Sequence, residues 1–217
     1  MARLPSTPSQ EPLLELSSAA QWSSWLRKHH ARSTGVWLRV AKKGAAPSVS
    51  YAEALEAALI WGWIDSQKRA LDETAFAQRF SPRKANSPWS KINRAKAEAL
   101  IAAGAMQPPG LAEVERARRD GRWERAYDGA RTATVPDDLA QALARNARAS
   151  AFFATLDSAN RYAILFRVQT ASSMKTRAAR IERFVERCAR HETLHPAGPA
   201  KAPHAGGRKV ARTRSRT

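Results

Sequence analysis

Every strand-like segment of this chain lies before residue 82, and everything after Pro136 reads as helix. Val36, Leu38 and Val40 alternate with Trp37, Arg39 and Ala41, which predicts a half-buried strand over 36–42. Two short runs, Trp63 to Leu71 and Ala75 to Ser81, flank Asp72-Glu73-Thr74 and read as a hairpin. From Asp137 the apolar residues recur only at helical spacing, near 137–145, 148–157, 159–170 and 174–191. Phe152, Phe153 and Leu156 mark one inner face, and Ile181, Phe184, Val185 and Cys188 another. Strands confined to one half and helices to the other argue against a repeating βα architecture. The expected class is α+β: a small mixed sheet with helices, then an all-helical C-terminal part.

Helix signals complete the first half. Ser18 and Gln21 have capping-box spacing ahead of Trp22, Trp25, Leu26 and His29, so a helix is expected over 19–30. Ser50 and Glu53 form a second capping box, opening a helix with Tyr51, Leu55, Ala58 and Leu59 on one face and Gly62 at its end. Ser87-Pro88 reads as an N-cap with proline at the first helical position, leading to Gly104, and a shorter helix runs from about Leu111 to Asp120. Residues 122–135 lose periodicity and end at Val135-Pro136, where the residue before proline is pushed out of helical geometry. The expected organisation is an α+β domain over 13–121, a linker over 122–135 and a helical domain over 136–195. Residues 1–12 and 196–217 are rich in proline and polar residues and read as disordered tails.

Charge narrows the partners. The chain of 217 residues carries 37 Lys and Arg against 19 Asp and Glu, a formal charge of +18, which favours contact with polyanions. Six of the basic residues (Lys201, Arg208, Lys209, Arg212, Arg214, Arg216) lie in the C-terminal tail, which holds no acid, yet the body stays basic without them. A single cysteine, Cys188, rules out an internal disulfide framework, and no Cys/His spacing matches a structural zinc site. With neither a signal-peptide core nor an apolar run long enough to span a bilayer, a cytoplasmic protein is expected. No phosphate loop, dinucleotide fingerprint or Ser/His/Asp order is present, so no cofactor and no metal are expected.

The densest unusual stretch is Ser66 to Lys96, where Lys68, Arg69, Arg79, Arg83 and Lys91 lie among Phe76, Phe80 and Trp89. Guanidinium groups beside a helix start at Ser87, Trp89 and Ser90 suit an anionic ligand, because the first amides of a helix lack partners and its dipole favours negative charge. The same stretch also reads as a solvated hairpin with core aromatics. Asp65 follows Trp61-Gly62-Trp63-Ile64, and an acid among large apolar residues must be exposed, paired or shifted in pKa. Its ordinary partner would be Lys68 or Arg69, and its alternative role is acid–base chemistry with Tyr51 or Lys68. His29 and His30 read as helix-end cations, His191 and His195 as a helix exit, and Cys188 as a buried thiol. Arg180, Arg183, Arg187 and Arg190 form a stripe on the last helix, either a solvated face or a polyanion contact.

Several blocks resemble the bacterial family described as bacteriocin-protection, YdeI or OmpD-associated. They are Gly35-Val36-Trp37-Leu38 with Lys42-Lys43, Tyr51-Ala52-Glu53-Ala54 into Gly62-Trp63-Ile64-Asp65-Ser66, Arg79-Phe80-Ser81-Pro82-Arg83, and Trp89-Ser90-Lys91-Ile92-Asn93. The likeness continues through Met106-Gln107-Pro108, Gly110, Pro136-Asp137-Asp138-Leu139 and Phe152-Phe153 to Ile181, spanning roughly 13–195. It implies a small cytosolic bacterial protein with a mixed first part and a helical second part. It transfers no catalytic residues, and the basic tail lies outside its pattern.

Three functions follow as expectations. The first is a non-enzymatic binding or stress-protection protein that holds an anionic ligand or an acidic partner surface through Lys68, Arg69, Arg79, Arg83, Ser87, Trp89, Ser90 and Lys91. The second is an enzyme working through Asp65 and Tyr51 in an N-terminal cleft. The third is weak, sequence-independent nucleic-acid binding through the tail and the last helix, falling with salt as condensed counterions are released.

Overall fold

A computed structural model describes residues 11–42, 44–45 and 48–196. The first half contains β1 (Leu13–Leu14), α1 (Ala19–His29), β2 (Val36–Ala41), α2 (Tyr51–Ile60), β3 (Trp63–Ala70), β4 (Ala75–Pro82), α3 (Lys91–Ala102) and α4 (Pro108–Arg119). Four helices follow: α5 (Asp137–Ala144), α6 (Ala147–Thr155), α7 (Ser158–Gln169) and α8 (Met174–Ala189). The α+β class with a helical second part is therefore the observed one. No helix among the described residues is long and apolar enough to cross a membrane.

The four strands form one mixed sheet in the order β1-β2-β4-β3, with β1 parallel to β2 and the other pairings antiparallel. Val36 pairs with Phe80, Leu38 with Gln78 and Val40 with Phe76, so the alternation seen in the sequence places these six on one face. Helices α1 and α2 cover that face. Trp22 lies against Phe80 and Trp63 there, and its indole N–H donates to the Ala54 carbonyl at 3.0 Å. The hairpin turn is held by Asp72, whose Oδ1 accepts from the Thr74 and Ala75 amides at 2.7 and 2.8 Å. Those bonds, led by the ones from Thr74, hold its carboxyl down at about 2.

Three local expectations need correction. The helix after the hairpin starts at Lys91, with Ser90 rather than Ser87 as its cap: the Ser90 hydroxyl accepts from the Asn93 amide at 3.1 Å. Ser87 instead closes a turn onto the Lys84 carbonyl, and Trp89 is buried edge-on against Trp123 before the helix begins. Helix α4 begins at Pro108, earlier than Leu111, because proline supplies the preset backbone of a first turn. Glu11 and Pro12, read as part of a disordered tail, are tied to the sheet. The Trp37 amide donates to the Pro12 carbonyl at 2.9 Å, and Glu11 pairs with Arg79. The remaining tail positions, 1–10 and 197–217, lie outside the described residues.

Two apolar clusters form. One joins α1 and α2, the sheet, α3 and α4 and extends to Trp123 and Ala126, while the other joins Leu139, Leu143, Phe153, Ile164, Leu165, Ile181, Phe184 and Cys188. Between them the aperiodic stretch after Asp120 is packed rather than free. Tyr127 meets Phe166 edge-on, the Asp128 amide donates to Gln169 at 2.9 Å, and the Asp128 carboxylate pairs with Lys91 at 2.8 Å.

Helix α4 reaches α2 through one glycine. A Cβ on Gly110 would lie 2.8 Å from the Leu59 carbonyl oxygen and closer still to that of Ile60, both backbone atoms at the end of α2. Gly110→Ala is therefore expected to destabilise the fold by about 1–3 kcal/mol, as overpacking does. The midpoint of urea unfolding checks this, and an unchanged midpoint would contradict the close approach.

Candidate functional site

The capping box of α2 fixes where Tyr51 points. The Ser50 hydroxyl accepts from the Glu53 amide while the Glu53 carboxylate accepts from the Ser50 amide at 2.9 Å, so Tyr51 is held at the first helical position. Asp65 comes from β3, paired with Phe80 just before a bulge that separates it from Lys68. The bulge is braced from inside the sheet, where the buried Gln78 amide donates to the Gln67 carbonyl at 3.1 Å. Helix start and strand meet in a hydrogen bond: the Tyr51 hydroxyl donates to Asp65 Oδ2 at 2.8 Å. Burial, then the bond to Asp65, raises the Tyr51 phenol well above its usual range, so it stays protonated and acts as a donor.

Arg83 lies within electrostatic reach of Asp65. Its amide donates to the Gly62 carbonyl at 3.0 Å just past β4, and its side chain turns inward until only 6% of the residue is exposed. The guanidinium lies 3.7 Å from the centroid of the buried Trp89 ring, and Nη2 donates to the Pro88 carbonyl at 2.9 Å. Its Nε and Nη1 are enclosed and have no hydrogen-bond partner among the described residues. No carboxylate makes an ion pair with it there. Burial pushes its pKa down to about 10 and the neighbouring Arg122 pushes the same way, while Asp65 and Tyr127 act in its favour. Tyr127 is in turn raised by burial and drawn down by Arg83 and by a bond with Ser90. Tyr51, Asp65, Arg83, Tyr127 and Ser90 thus make one electrostatic unit at the junction of α2, the hairpin and the start of α3.

The other candidates lie elsewhere. Arg79 alternates with Phe80 and faces the uncovered side of the sheet, where Nε donates to Glu11 at 2.7 Å and Nη1 to Ser66 at 3.3 Å. Arg69 stacks on Trp37 at 4.3 Å and Lys68 sits over Phe76 at 3.7 Å, beyond the bulge. The Ser87 carbonyl accepts from Arg122, and Lys91 is paired with Asp128. The eight-residue anion set therefore divides: Arg83, Trp89 and Ser90 share the Asp65 cluster, and Lys68, Arg69 and Arg79 do not. Tyr127 and Arg122 were absent from the sequence-based set, because they fall in the stretch without periodicity.

The histidines, Cys188 and the α8 arginines lie in local packing and pairing. His29 stacks on Trp25, His191 stacks on Phe152 at the end of α8, and no group of metal-ligand residues occurs among the described residues. Cys188 is 1% exposed and burial raises its thiol, which suppresses the reactive thiolate. In the α8 stripe, Arg180 donates to the Arg167 carbonyl, Arg187 to the Thr193 carbonyl, and Arg190 pairs with Glu192.

Residues 132–191 match the family described as Bacteriocin-protection, YdeI or OmpD-Associated. Residues 14–113 match a different model, a domain of unknown function, DUF8412. The resemblance expected over 13–195 is thus shown for the helical part. The Tyr51 to Ser66 and Arg79 to Asn93 blocks, which hold most of the candidate site, fall in the range of the other model. No curated protein and no solved structure matches the chain.

Proposed function

Starting from the bacteriocin-protection match of the C-terminal helices, we propose that the protein is a binding protein whose N-terminal part holds a small anionic ligand at Arg83. The observation that carries this reading is a buried guanidinium with two unpartnered nitrogens, Nε and Nη1, and no ion pair among the described residues. Such a charge is costly, because desolvation is not offset by a counter-ion at contact distance. It is retained beside the phenol of Tyr127 and the hydroxyl of Ser90, groups able to donate to an anion, with the Tyr51–Asp65 pair nearby. In poorly polarisable surroundings an unneutralised charge also acts over a longer range than a surface lysine, which draws anions toward the cluster.

The test is a thermal-shift series with phosphate, sulfate and small carboxylates. Stabilisation is expected that grows logarithmically with anion concentration. No shift with any anion would overturn the reading. Tyr51→Phe removes the hydrogen bond that offsets the Asp65 carboxylate, so an anion meets more repulsion there and binding is expected to weaken about fivefold to tenfold, as loss of one hydrogen bond does. It should leave the fold intact, since Tyr51 is 39% exposed. Titration calorimetry measures both effects.

A second reading rests on the 2.8 Å bond between Tyr51 and Asp65. A protonated phenol on an aspartate is a proton-transfer pair, and an enzyme would use it on a ligand held by Arg83. Loss of turnover with retained binding in Tyr51→Phe would favour this reading over a binding protein.

A further inference from the structure

Asp65 is an awkward neighbour for a simple anion. It stands close enough to Arg83 for its charge to be felt there, yet the two make no ion pair. Oδ2 is taken by the Tyr51 hydroxyl, and Oδ1 has no hydrogen bond to any described residue. Asp65 is half-buried, and its partner Tyr51 is 39% exposed, so the pair lies at the edge of the buried cluster. A ligand with negative charge alone would gain from Arg83 and lose to Asp65. One that also carries a cation would gain from both, because each charge of the site then has an opposite partner.

We propose that the ligand is zwitterionic and of the α-amino-acid type, with an acid group beside a primary ammonium. The proposal rests on the anion reading above and assigns the acid to Arg83, Tyr127 and Ser90, and the ammonium to the free oxygen of Asp65. Tyr51 has a positioning role here: as donor to Oδ2 it fixes the carboxylate plane and leaves Oδ1 for the ammonium. The aromatic groups nearby, Trp89 beneath Arg83 and the two tyrosine rings, would flank the small carbon skeleton between the charges.

Matched pairs of ligands decide it with the full chain in calorimetric titrations: L-alanine against propionate, L-glutamate against glutarate, and phosphoethanolamine against ethyl phosphate. The zwitterion of each pair is expected to bind about tenfold more tightly, the size of one additional charge contact near a protein surface. Asp65→Asn should bring the members of a pair to within about twofold, by weakening the zwitterion and strengthening the anion. If the anions bind as well as their amino counterparts, the zwitterion proposal is overturned and the anion site stands. An advantage that persists in Asp65→Asn overturns the assignment of the ammonium to Asp65. Absence of binding by every compound overturns both.

Discussion

Replacing Arg83 with methionine is expected to make the protein more stable and, at the same time, at least tenfold weaker at holding an anion. Methionine keeps much of the side-chain volume against Trp89 but brings no charge into the interior. Exchange of buried charge for well-packed apolar volume is often stabilising, and here the carboxylate that would offset the charge is not at contact distance. The loss of the bond to the Pro88 carbonyl and of the cation–π contact offsets part of the gain. A net increase of about 1–2 kcal/mol in unfolding free energy is expected at neutral pH.

The pH dependence has a definite sign. Arg83 ordinarily titrates at 12.5, and burial brings it down to about 10 in the folded protein. Its charged form is therefore penalised on folding at every pH below about 10, and the penalty fades as pH rises from there toward 12.5. The stability gap between Arg83→Met and the wild type should be flat through neutrality and narrow above pH about 10. Anion binding should fall by tenfold or more, the effect of losing a charged partner. A variant that is less stable yet binds as before would mean that Arg83 is a structural residue.

Trp22→Ala is expected to have the largest effect on the fold. The ring is fully buried, stacks on Trp25 at 5.3 Å, meets Phe80 at 5.5 Å and Trp63 at 6.5 Å, and donates to the Ala54 carbonyl. It is the side chain through which α1, α2 and the sheet are held as one unit. Truncation leaves a cavity that the backbone of three elements cannot close, at a cost of about 3–5 kcal/mol. Because whole domains are stable by only about 5–15 kcal/mol, the thermal midpoint should drop sharply. Circular dichroism during heating measures it, and a drop of only a degree or two would contradict the packing described.

The segregation of strands and helices was legible in the sequence because periodicity is a local property that the core enforces. Val36, Leu38 and Val40 alternate in the chain because one face of β2 is covered and the other is not. The start of α3 was misplaced because cap signals are local as well. Ser87-Pro88 is the better cap by residue type, but burying Trp89 against Trp123 keeps the chain extended until Ser90. Strand β1, of two residues, is too short to show a period at all.

The site was legible in the same uneven way. Asp65 and Tyr51 stood out, one as an acid among tryptophans and the other beside a capping box, and the fold joins them. The basic residues of the hairpin could not be sorted from sequence alone. Whether Arg79 or Arg83 turns inward depends on strand parity, on the bulge after Asp65 and on where β4 ends. Tyr127 and Arg122 reach the cluster through tertiary contacts of an aperiodic stretch, and no spacing marks them.

If Arg83 is a buried cation that a ligand neutralises, its own side-chain signal must respond to that ligand. Arginine side-chain resonances in a 1H–15N spectrum report on it directly, with Arg83→Met identifying its signal. On titration with phosphate or L-alanine, the Arg83 Nε–H resonance is expected to shift and saturate together with calorimetric binding. Saturable binding that leaves that resonance in place, while other arginine signals move, would contradict the account.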